Sequence, residues 1–433
     1  MTLQAIKDSL YLAIDDAREA IIQIGETVAD NPEIGYREEK TSALVRKVME
    51  ALSIPIEYPL AKTGVKGTLK GRSGDITVAV IGEMDALFCA GHPRAHASVA
   101  HACGHNAQIA AMLGTAIAIQ KSGMYRHLDG NICFLAAPAE EFIDLSYRKT
   151  LRQSGEIDYC GGKQQLLAEG AFRDIDMAMM LHAQPNEPNA KVYADGYNLG
   201  FLAKTVRFSG KAAHGSTPFD GVNALNAAAL SILGIHANRE TFSDTDRIRI
   251  HPIITKGGDV VNTVPDEVCM DMYVRGASLA AIQKGSAAVN RAVRGAADMI
   301  GAAVTYEDLP GYLPLRESAA LSAVFTKNAR ELIGDENIVT GAEITGSTDM
   351  GDVSHRIPVI QPSVGGFSGH LHGTDFRVAN PDYAYVLSAK LLAGTVAELL
   401  YHHAEKAKQV KRAYAPAMTH KEYISYLRKE ENQ

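Results

Sequence analysis

The sequence contains few cysteines for its length. Only five occur in 433 residues, and an odd, sparse set of this kind does not form a disulfide framework. The first residues, Met-Thr-Leu-Gln-Ala-Ile-Lys-Asp, also contain no apolar segment of the type found in secretory signals. We therefore expect free thiols in a reducing compartment and a cytoplasmic protein.

Long apolar runs and long basic runs are missing as well. A membrane-spanning helix needs about 18 consecutive apolar residues, and no stretch approaches this length. The formal net charge is −7, and no basic run is long enough to bind a nucleic-acid backbone or an anionic membrane. We therefore expect neither nucleic acid nor a membrane as a partner. No Gly-x-Gly-x-x-Gly or P-loop motif follows a predicted strand, which argues against a nucleotide-binding enzyme.

The pattern of apolar residues indicates alternating strands and helices. Predicted helices cover residues 3–28, 41–52 and 163–170, and predicted strands cover 56–59, 65–70, 75–81, 130–137, 175–181 and 358–364. This alternation predicts an α/β fold with a mostly parallel sheet. The hydrophobic fraction of 46% and the chain length are sufficient for more than one domain.

The middle of the chain follows a different order. Its predicted elements are a strand (203–208), a helix (222–235), two strands (247–254 and 268–274), a helix (279–300) and a strand (303–306). This βαββαβ order is typical of a small ferredoxin-like domain. We therefore predict a catalytic domain of residues 1–198 and 308–433, with an inserted lid or dimerisation domain of residues 199–307.

Ionisable side chains repeatedly follow the apolar strands, at the edge where open α/β sheets bind their ligands. The candidates are Cys103, His105, Glu140, Glu141, His182 and His372. Mixed sulfur, nitrogen and oxygen donors suit zinc or another divalent first-row ion. Because six groups exceed the needs of one tetrahedral ion, they indicate two ions about 3.5–4 Å apart. The adjacent glutamates then have separate tasks, one as a ligand and the other as a proton acceptor.

The Cys103 and His105 pair lies at the mouth of a predicted helix that Gly123 ends, with Asn106 as a plausible N-cap. The positive end of that helix would stabilise a thiolate. Simpler interpretations remain open at this stage: Cys103 as a buried structural cysteine, His182 as a core histidine, and the two glutamates as a solvated pair.

Six ordered motifs between about residues 30 and 400 resemble the M20 metallopeptidase family. They are Glu-Met-Asp-Ala-Leu (83–87), His-Ala-Cys-Gly-His-Asn (101–106), Pro-Ala-Glu-Glu (138–141), Leu-His-Ala (181–183), Gly-Lys-Ala-Ala-His-Gly-Ser (210–216) and Ser-Thr-Asp-Met-Gly-Asp-Val-Ser (347–354). The closer resemblance is to the amidohydrolase branch, which includes auxin-conjugate, hippurate and aminobenzoyl-glutamate hydrolases. The segment Asn-Pro-Glu-Ile-Gly (31–35) also resembles the beginning of that branch.

The resemblance implies a role for each motif residue. The metal ligands would be Cys103, His105, Glu141, His182 and His372, binding two divalent ions of zinc or manganese. Glu140 would be the general base, and Asp85 would orient a ligand. His214 of the small domain would stabilise the oxyanion, reaching across from a second subunit of a homodimer. Asn262 and Arg275 would bind the carboxylate of the substrate.

This resemblance implies a hydrolase that cleaves the amide bond of an N-acyl or aminoacyl amino acid. A dipeptidase or carboxypeptidase is the alternative within the same chemistry, and a catalytically inactive scaffold is the alternative outside it. His370 competes with His372 as a ligand, although the spacing to Phe376 favours His372. Plainer interpretations make His214 and Asn262 turn residues and Arg275 a surface residue of a strand.

Overall fold

The computed structural model describes residues 1–341 and 346–430. The helices are α1 (Leu3–Asp16), α2 (Arg18–Ala29), α3 (Glu39–Ala51), α4 (His105–Ser122), α5 (Leu145–Gln153), α6 (Gly162–Glu169), α7 (Ala224–Ala237), α8 (Leu279–Ile300), α9 (Ala319–Ile333), α10 (Met350–Ser354), α11 (Ser388–Leu400), α12 (Glu405–Ala413) and α13 (His420–Glu430). The strands are β1 (Ile56–Leu60), β2 (Gly64–Lys70), β3 (Thr77–Glu83), β4 (Leu87–Phe88), β5 (Val99–Ala100), β6 (Asn131–Ala137), β7 (Met177–Met179), β8 (His182–Ala183), β9 (Val192–Ala194), β10 (Gly200–Ser209), β11 (Arg249–Lys256), β12 (Glu267–Gly276), β13 (Ala303–Pro310), β14 (Ile338–Thr340), β15 (Val359–Ile360), β16 (Ser363–Val364), β17 (Phe367–Ser368) and β18 (Arg377–Val378).

A six-stranded sheet in the order β1-β2-β6-β3-β7-β15 forms the centre of the larger part of the chain. Strands β6, β3, β7 and β15 run parallel, while β1 and β2 pair antiparallel at one edge. Every residue of β3 is buried, as expected for a parallel strand covered on both faces. The predicted α/β fold with a parallel-rich sheet is confirmed. Its consequence is that β3, β6 and β7 end at the same edge.

Helix α4 is the central helix beside this sheet. It contacts β3, and α1, α2 and α11 pack around it. Two glycines in left-handed conformations bound it, Gly104 with φ 85° and Gly123 with φ 69°. Gly123 therefore ends the helix as predicted, but the prediction of Asn106 as the N-cap is wrong. Its side chain is instead buried, donating to the carbonyl of Gly25 and the hydroxyl of Tyr385.

Two predicted elements are each divided in the structure. The helix predicted over residues 3–28 breaks at Ala17, where neither proline nor glycine signals the change of direction. The strand predicted over residues 358–364 becomes β15 in the main sheet and β16 in a separate four-stranded sheet. Pro362, which has no backbone N–H to donate to a ladder, lies between them.

The predicted βαββαβ segment forms an antiparallel sheet in the order β11-β12-β10-β13. Helices α7 and α8 pack against each other and against β10 and β12. The residues of β12 alternate between buried and half-buried, which is the pattern of a sheet covered by helices on one face. The ferredoxin-like order is therefore confirmed.

The described residues divide into two compact units. The large unit contains residues 1–197, 316–341 and 352–417, and the small unit contains residues 198–315, 346–351 and 418–430. Helix α13 packs against β13 within the small unit. The predicted functional domains, residues 1–198 with 308–433 and residues 199–307, stay a prediction.

One helical segment, Asp382–Leu400, is long and apolar enough to cross a membrane by length and composition. It comprises a π-helical turn followed by α11. Of its most apolar window, 83% is buried inside the protein. Its apolar side chains therefore belong to the core formed with α1, α4 and α9, and the segment is weak evidence for a membrane span.

Candidate active site

Three parallel strands deliver acidic and imidazole side chains to one edge of the main sheet. Glu83 is the last residue of β3, Glu140 and Glu141 follow β6, and His182 follows β7. Paired residues in β3 and β6 continue to Glu83 opposite Ala137, so the segments beyond them leave the sheet side by side. Parallel topology thus explains why residues far apart in sequence meet here.

Two groups of side chains have donor atoms close enough to hold one ion each. The donor atoms of Cys103, His105 and His182 lie within 4.8 Å of one another, and so do those of Cys103, Glu141 and His372. Cys103 belongs to both groups. The structure therefore brings together all five predicted ligands, and the thiol of Cys103 is common to the two groups.

Backbone contacts set the direction of two of the histidines. The Nδ1 of His182 lies 3.1 Å from the carbonyl oxygen of Ala183, and its Nε2 lies 3.5 Å from the Sγ of Cys103. His372 has a left-handed backbone with φ 62°, and its N–H donates to the carbonyl of Ala102 over 2.8 Å. Its Nε2 lies 3.3 Å from Oε1 of Glu141.

Asp85 connects the start of α4 to the turn that carries the two glutamates. The Nδ1 of His105 lies 2.8 Å from the backbone oxygen of Asp85 and 3.3 Å from its Oδ1. The other carboxylate oxygen of Asp85 accepts the N–H of Glu141 over 2.8 Å. This is the geometry expected of a residue that orients a ligand, although the role itself stays a prediction.

Glu140 lies near His105, with its Oε2 3.9 Å from the Nε2 of that histidine. Together with Glu83 and His105 it forms a third cluster of donor atoms within 4.8 Å. Glu83 is already satisfied, because Lys163 is ion-paired to one oxygen and Gln108 donates to the other over 2.9 Å. The adjacent glutamates therefore face different histidines.

Sequence reasoning missed the buried groups that support these side chains. Glu83 follows the same strand-end rule as the ligands but received no role, although its Oε2 lies 3.1 Å from the Nε2 of His105. Lys163 is fully buried in α6, where no sequence pattern indicates a functional lysine. Glu38 and Arg148, also buried, are described below.

In the metal-free cluster the pKa of the thiol is lowered and the pKa values of the surrounding imidazoles are raised, which favours a thiolate among imidazolium groups. Burial opposes ionisation of Cys103, but the neighbouring His182, with His105 and His372, lowers the pKa of the thiol well below its ordinary range. Contacts with Cys103 and then Glu141 raise the pKa of His372 to about 10. Burial lowers the pKa of His182, yet the thiolate outweighs it and raises that pKa.

The donor set fits a pair of divalent cations. Oε1 of Glu141 and Nε2 of His105 are buried and make no well-aligned hydrogen bond, although His372 and Glu83 lie 3.3 and 3.1 Å away, so both atoms can turn to a cation. Thiolate, imidazole and carboxylate are the donors that zinc and related ions accept. The residues of the large unit therefore suit the predicted ions.

His370 does not share this environment. Its side chain is 76% exposed, and its Nδ1 pairs with the Oδ2 of Asp375 over 2.9 Å. His92, one of the other histidines near the cluster in sequence, contacts the carbonyl of Phe376 over 2.7 Å. Of the two competing ligands, the structure places His372 against Glu141 and Cys103.

His214, Asn262 and Arg275 belong to the small unit. The carbonyl of Asn262 accepts the N–H of Gly215 over 2.7 Å, so His214 and Asn262 lie on adjoining loops. His214 is exposed, and its Nδ1 accepts the N–H of Ser216 over 3.1 Å, leaving Nε2 as the atom that carries hydrogen.

Arg275 lies far from the other two predicted residues of the small unit. Asn262 precedes the start of β12, whereas Arg275 is next to its last residue, so the length of the strand separates them. The eight steps of extended chain from Glu267 to Arg275 span roughly 26 Å. Within one small unit, these residues do not surround a single small substrate.

The chain is similar in sequence and in fold to several known proteins. The model of peptidase family M20/M25/M40 matches residues 79–398. The chain is 28% identical over 380 residues to the Xaa-Arg dipeptidase of Mus musculus, covering 83% of this chain and 80% of that protein. It is 26% identical over 363 residues to IAA-amino acid hydrolase ILR1-like 2 of Arabidopsis thaliana, covering 78% and 75%. The solved structure of the Bacillus subtilis YXEP protein, described as a dinuclear metal binding peptidase from the M20 family, has a TM-score of 0.70 at 21% identity, covering 89% and 99%.

We expect metal binding to release protons at pH 7. A ligating imidazole must be neutral, and with a pKa of about 10 His372 carries a proton to release, whereas the pKa of the Cys103 thiol is held well below its ordinary range by the neighbouring histidines. Apparent affinity should therefore rise with pH towards 10, by about tenfold per pH unit for each proton released. Calorimetric titration with zinc in buffers of different ionisation enthalpy measures this release.

The same titration compares variants of the two competing histidines, with His370→Ala as the control for His372→Ala. His370→Ala should release as many protons as the wild type, and His372→Ala should release about one fewer. A wild-type binding enthalpy that does not depend on the buffer would contradict the thiolate–imidazolium cluster.

Proposed function

Since this chain belongs to peptidase family M20/M25/M40, and is thus a hydrolase of amide or peptide bonds, we propose that it cleaves N-acyl or aminoacyl amino acids with a free carboxylate. We further propose that it uses two divalent ions, zinc or manganese, with Glu140 as the general base. The zinc or manganese identity and the cytoplasmic location stay predictions.

The observation that carries this proposal is the divergence of two adjacent carboxylates. Glu141 joins Cys103 and His372 in a donor group, whereas Glu140 belongs to neither group that contains the thiol. Glu140 is mostly buried at the same edge, near His105. A ligand and a separate carboxylate next to it are what metal-assisted hydrolysis requires.

The proposed chemistry assigns one task to each group. Ions held by the five ligands would act as Lewis acids and lower the pKa of water towards about 7. Glu140 accepts one proton from the attacking water while the oxygen of that water bonds to the carbonyl carbon of the substrate. When the carbon–nitrogen bond breaks, Glu140 returns that proton to the leaving nitrogen. The Nε2–H of His214 is oriented by Ser216 to donate to the oxyanion.

Arg275 supports the proposed specificity for a carboxylate. Its guanidinium lies 5.4 Å from the ring centre of Phe201 and 5.6 Å from that of Tyr273, and it donates to the hydroxyl of Ser347. Aromatic neighbours fix the plane of the guanidinium, whose fork can bond both oxygens of a carboxylate.

The separation of the predicted residues along β12 supports a homodimer. If His214, Asn262 and Arg275 all contact one substrate, the first two must come from a different copy than the third. Strand β11 is an edge strand with Ile253 and Ile254 exposed, which offers a surface for pairing with a second small unit.

A dipeptidase is the second candidate, because the similar protein of Mus musculus is an Xaa-Arg dipeptidase. It differs from the first candidate in requiring a free α-amine on the substrate. A panel of N-benzoyl and N-acetyl amino acids, Xaa-Arg dipeptides and their methyl esters separates the two. The esters test the need for a free carboxylate in both cases.

We expect the metal-loaded protein to hydrolyse members of this panel and Glu140→Gln to lower kcat by about 10²–10⁴-fold. The reason is that glutamine cannot accept the proton of water, while the ligands remain unchanged. Measurement of kcat and of metal content per chain checks both statements.

Glu187→Gln is the control, since Glu187 is a buried carboxylate whose side chain contacts Asn189, Tyr193 and Lys191, none of which is a predicted ligand. Activity of Glu140→Gln equal to wild type would refute the role of base. Metal binding without turnover of any substrate by the wild type would favour the inactive scaffold.

We expect mixed dimers to recover activity from two inactive variants. In a dimer of His214→Ala with Glu140→Gln, one site combines an intact Glu140 with an intact His214 from its partner. Random exchange makes half of the dimers mixed, and each mixed dimer has one complete site and one incomplete site. About a quarter of wild-type activity should therefore return. No recovery in dimers shown by sedimentation to have exchanged would place His214 in the site of its own chain.

A further inference from the structure

The four residues after β6, Pro138 to Glu141, form a turn that contains a left-handed residue other than glycine. Ala139 has φ 54°, in the left-handed region that residues with a Cβ avoid. This conformation matters because it lies directly before the two glutamates. It allows Glu141 to face His372 while Glu140 faces His105.

A buried carboxylate holds the amide of the strained residue. The Oε1 of Glu38 accepts the N–H of Ala139 over 2.8 Å, and its Oε2 accepts the hydroxyl of Thr63 over 2.6 Å. Glu38 is fully buried. Its position is therefore fixed from one side by Thr63, the residue before β2, and from the other by the turn.

A buried guanidinium holds the carbonyls of the same turn. Arg148 of α5 donates from Nη2 to the carbonyl of Glu141 and from Nη1 to those of Cys160, over 2.7 Å, and Ala139, over 3.4 Å. Its side chain is 1% exposed. Asp85 accepts the N–H of Glu141. The buried ionisable side chains of Glu38, Asp85 and Arg148 thus hydrogen-bond to the backbone on both sides of Glu140.

Two glycines close the space around the turn. A Cβ on Gly35 would lie 2.8 Å from the Cα of Ala139, and a Cβ on Gly162 would lie 1.6 Å from the carbonyl oxygen of Pro138. The N–H of Gly162 also donates to the carbonyl of Ala139 over 3.1 Å. The turn is thus enclosed by backbone, and it cannot relax to an ordinary conformation without displacing its neighbours.

We propose that Glu38 and Arg148 are positioning residues that hold Ala139 in its left-handed conformation and so aim Glu140 and Glu141 at their separate tasks. Glu38 acts through the amide of Ala139, and Arg148 acts through the carbonyl of Glu141. The inference rests on the proposed function for the task of Glu140, but its effect on metal retention by Glu141 does not depend on any substrate.

Glu33 provides a matched control from the same loop. It also accepts backbone amides, those of Lys40 and Thr41 over 3.0 and 3.1 Å, but these belong to the start of α3. Replacing Glu33 therefore removes amide hydrogen bonds that support the fold without touching the turn.

The test compares Glu38→Leu, Glu38→Gln, Glu33→Leu and wild type in the full metal-loaded protein. The readouts are kcat, KM, Tm and the rate at which a chelator removes zinc. Glutamine keeps an oxygen that accepts from Ala139, whereas leucine removes it. We expect Glu38→Leu to lose about 10²-fold in kcat with little change in KM, and to release zinc faster than the wild type.

Glu38→Gln should restore both properties to within a few-fold of wild type, and Glu33→Leu should lower Tm with kcat and zinc release unchanged. Equal losses in Glu38→Leu and Glu33→Leu, or no rescue by glutamine, would overturn the proposal. If Glu38→Leu does not fold, Arg148→Lys serves instead, because it keeps the buried charge but loses the fork. Unchanged kcat and zinc release in that variant would also overturn it.

The rate of zinc release distinguishes a failure of the proposed function from a failure of the positioning role. If the wild type hydrolyses none of the substrates, the proposed function fails, and accelerated zinc loss in Glu38→Leu alone would still support the positioning role. If the wild type is active and Glu38→Leu matches it in kcat and zinc release, only the positioning role fails.

Discussion

The site depends on a buried thiolate held among three histidines. A charged sulfur is unfavourable in a protein interior, and the pKa of Cys103 nevertheless lies well below its ordinary range because His182, His105 and His372 compensate the loss of water. The same thiol is the member common to both donor groups. Each histidine reaches it by a separate route: the start of α4, the end of β7, and a loop tied by its backbone to Ala102. The thiolate therefore connects parts of the large unit that are far apart in sequence.

The carboxylate side of the site uses a different constraint. Adjacent residues in a strand point in opposite directions, but here two adjacent glutamates must both serve one site. The left-handed Ala139 turns the chain so that Glu140 and Glu141 address neighbouring histidines. That strain persists because Glu38, Arg148 and Asp85 satisfy the backbone of the turn. Local strain at a site, supported by buried charges around it, is a common arrangement where geometry must be fixed.

The fold class and the candidate ligand residues could be predicted from the sequence, because both follow from regular patterns. Apolar strands that alternate with helices imply parallel neighbours, and parallel strands bring their ends to one edge. The N-cap of α4 could not be predicted in the same way, since Gly104 uses a left-handed backbone and Asn106 is taken into the core. No sequence pattern indicated a role for Glu38, Lys163 or Arg148, because each of them contacts a segment that is distant in sequence. The distance between Asn262 and Arg275 follows from the length of β12, because Asn262 precedes the strand and Arg275 is next to its last residue.

The proposal that the five ligands hold two ions, with Cys103 common to both donor groups, is tested most directly by the metal content per chain. Protein purified without chelator or affinity nickel should contain about two zinc or manganese ions per chain. Cys103→Ser should lose both ions, since the thiolate belongs to both donor groups, whereas His182→Ala should lose about one. Two ions retained by Cys103→Ser, or none bound by the wild type after addition of zinc or manganese, would contradict the account.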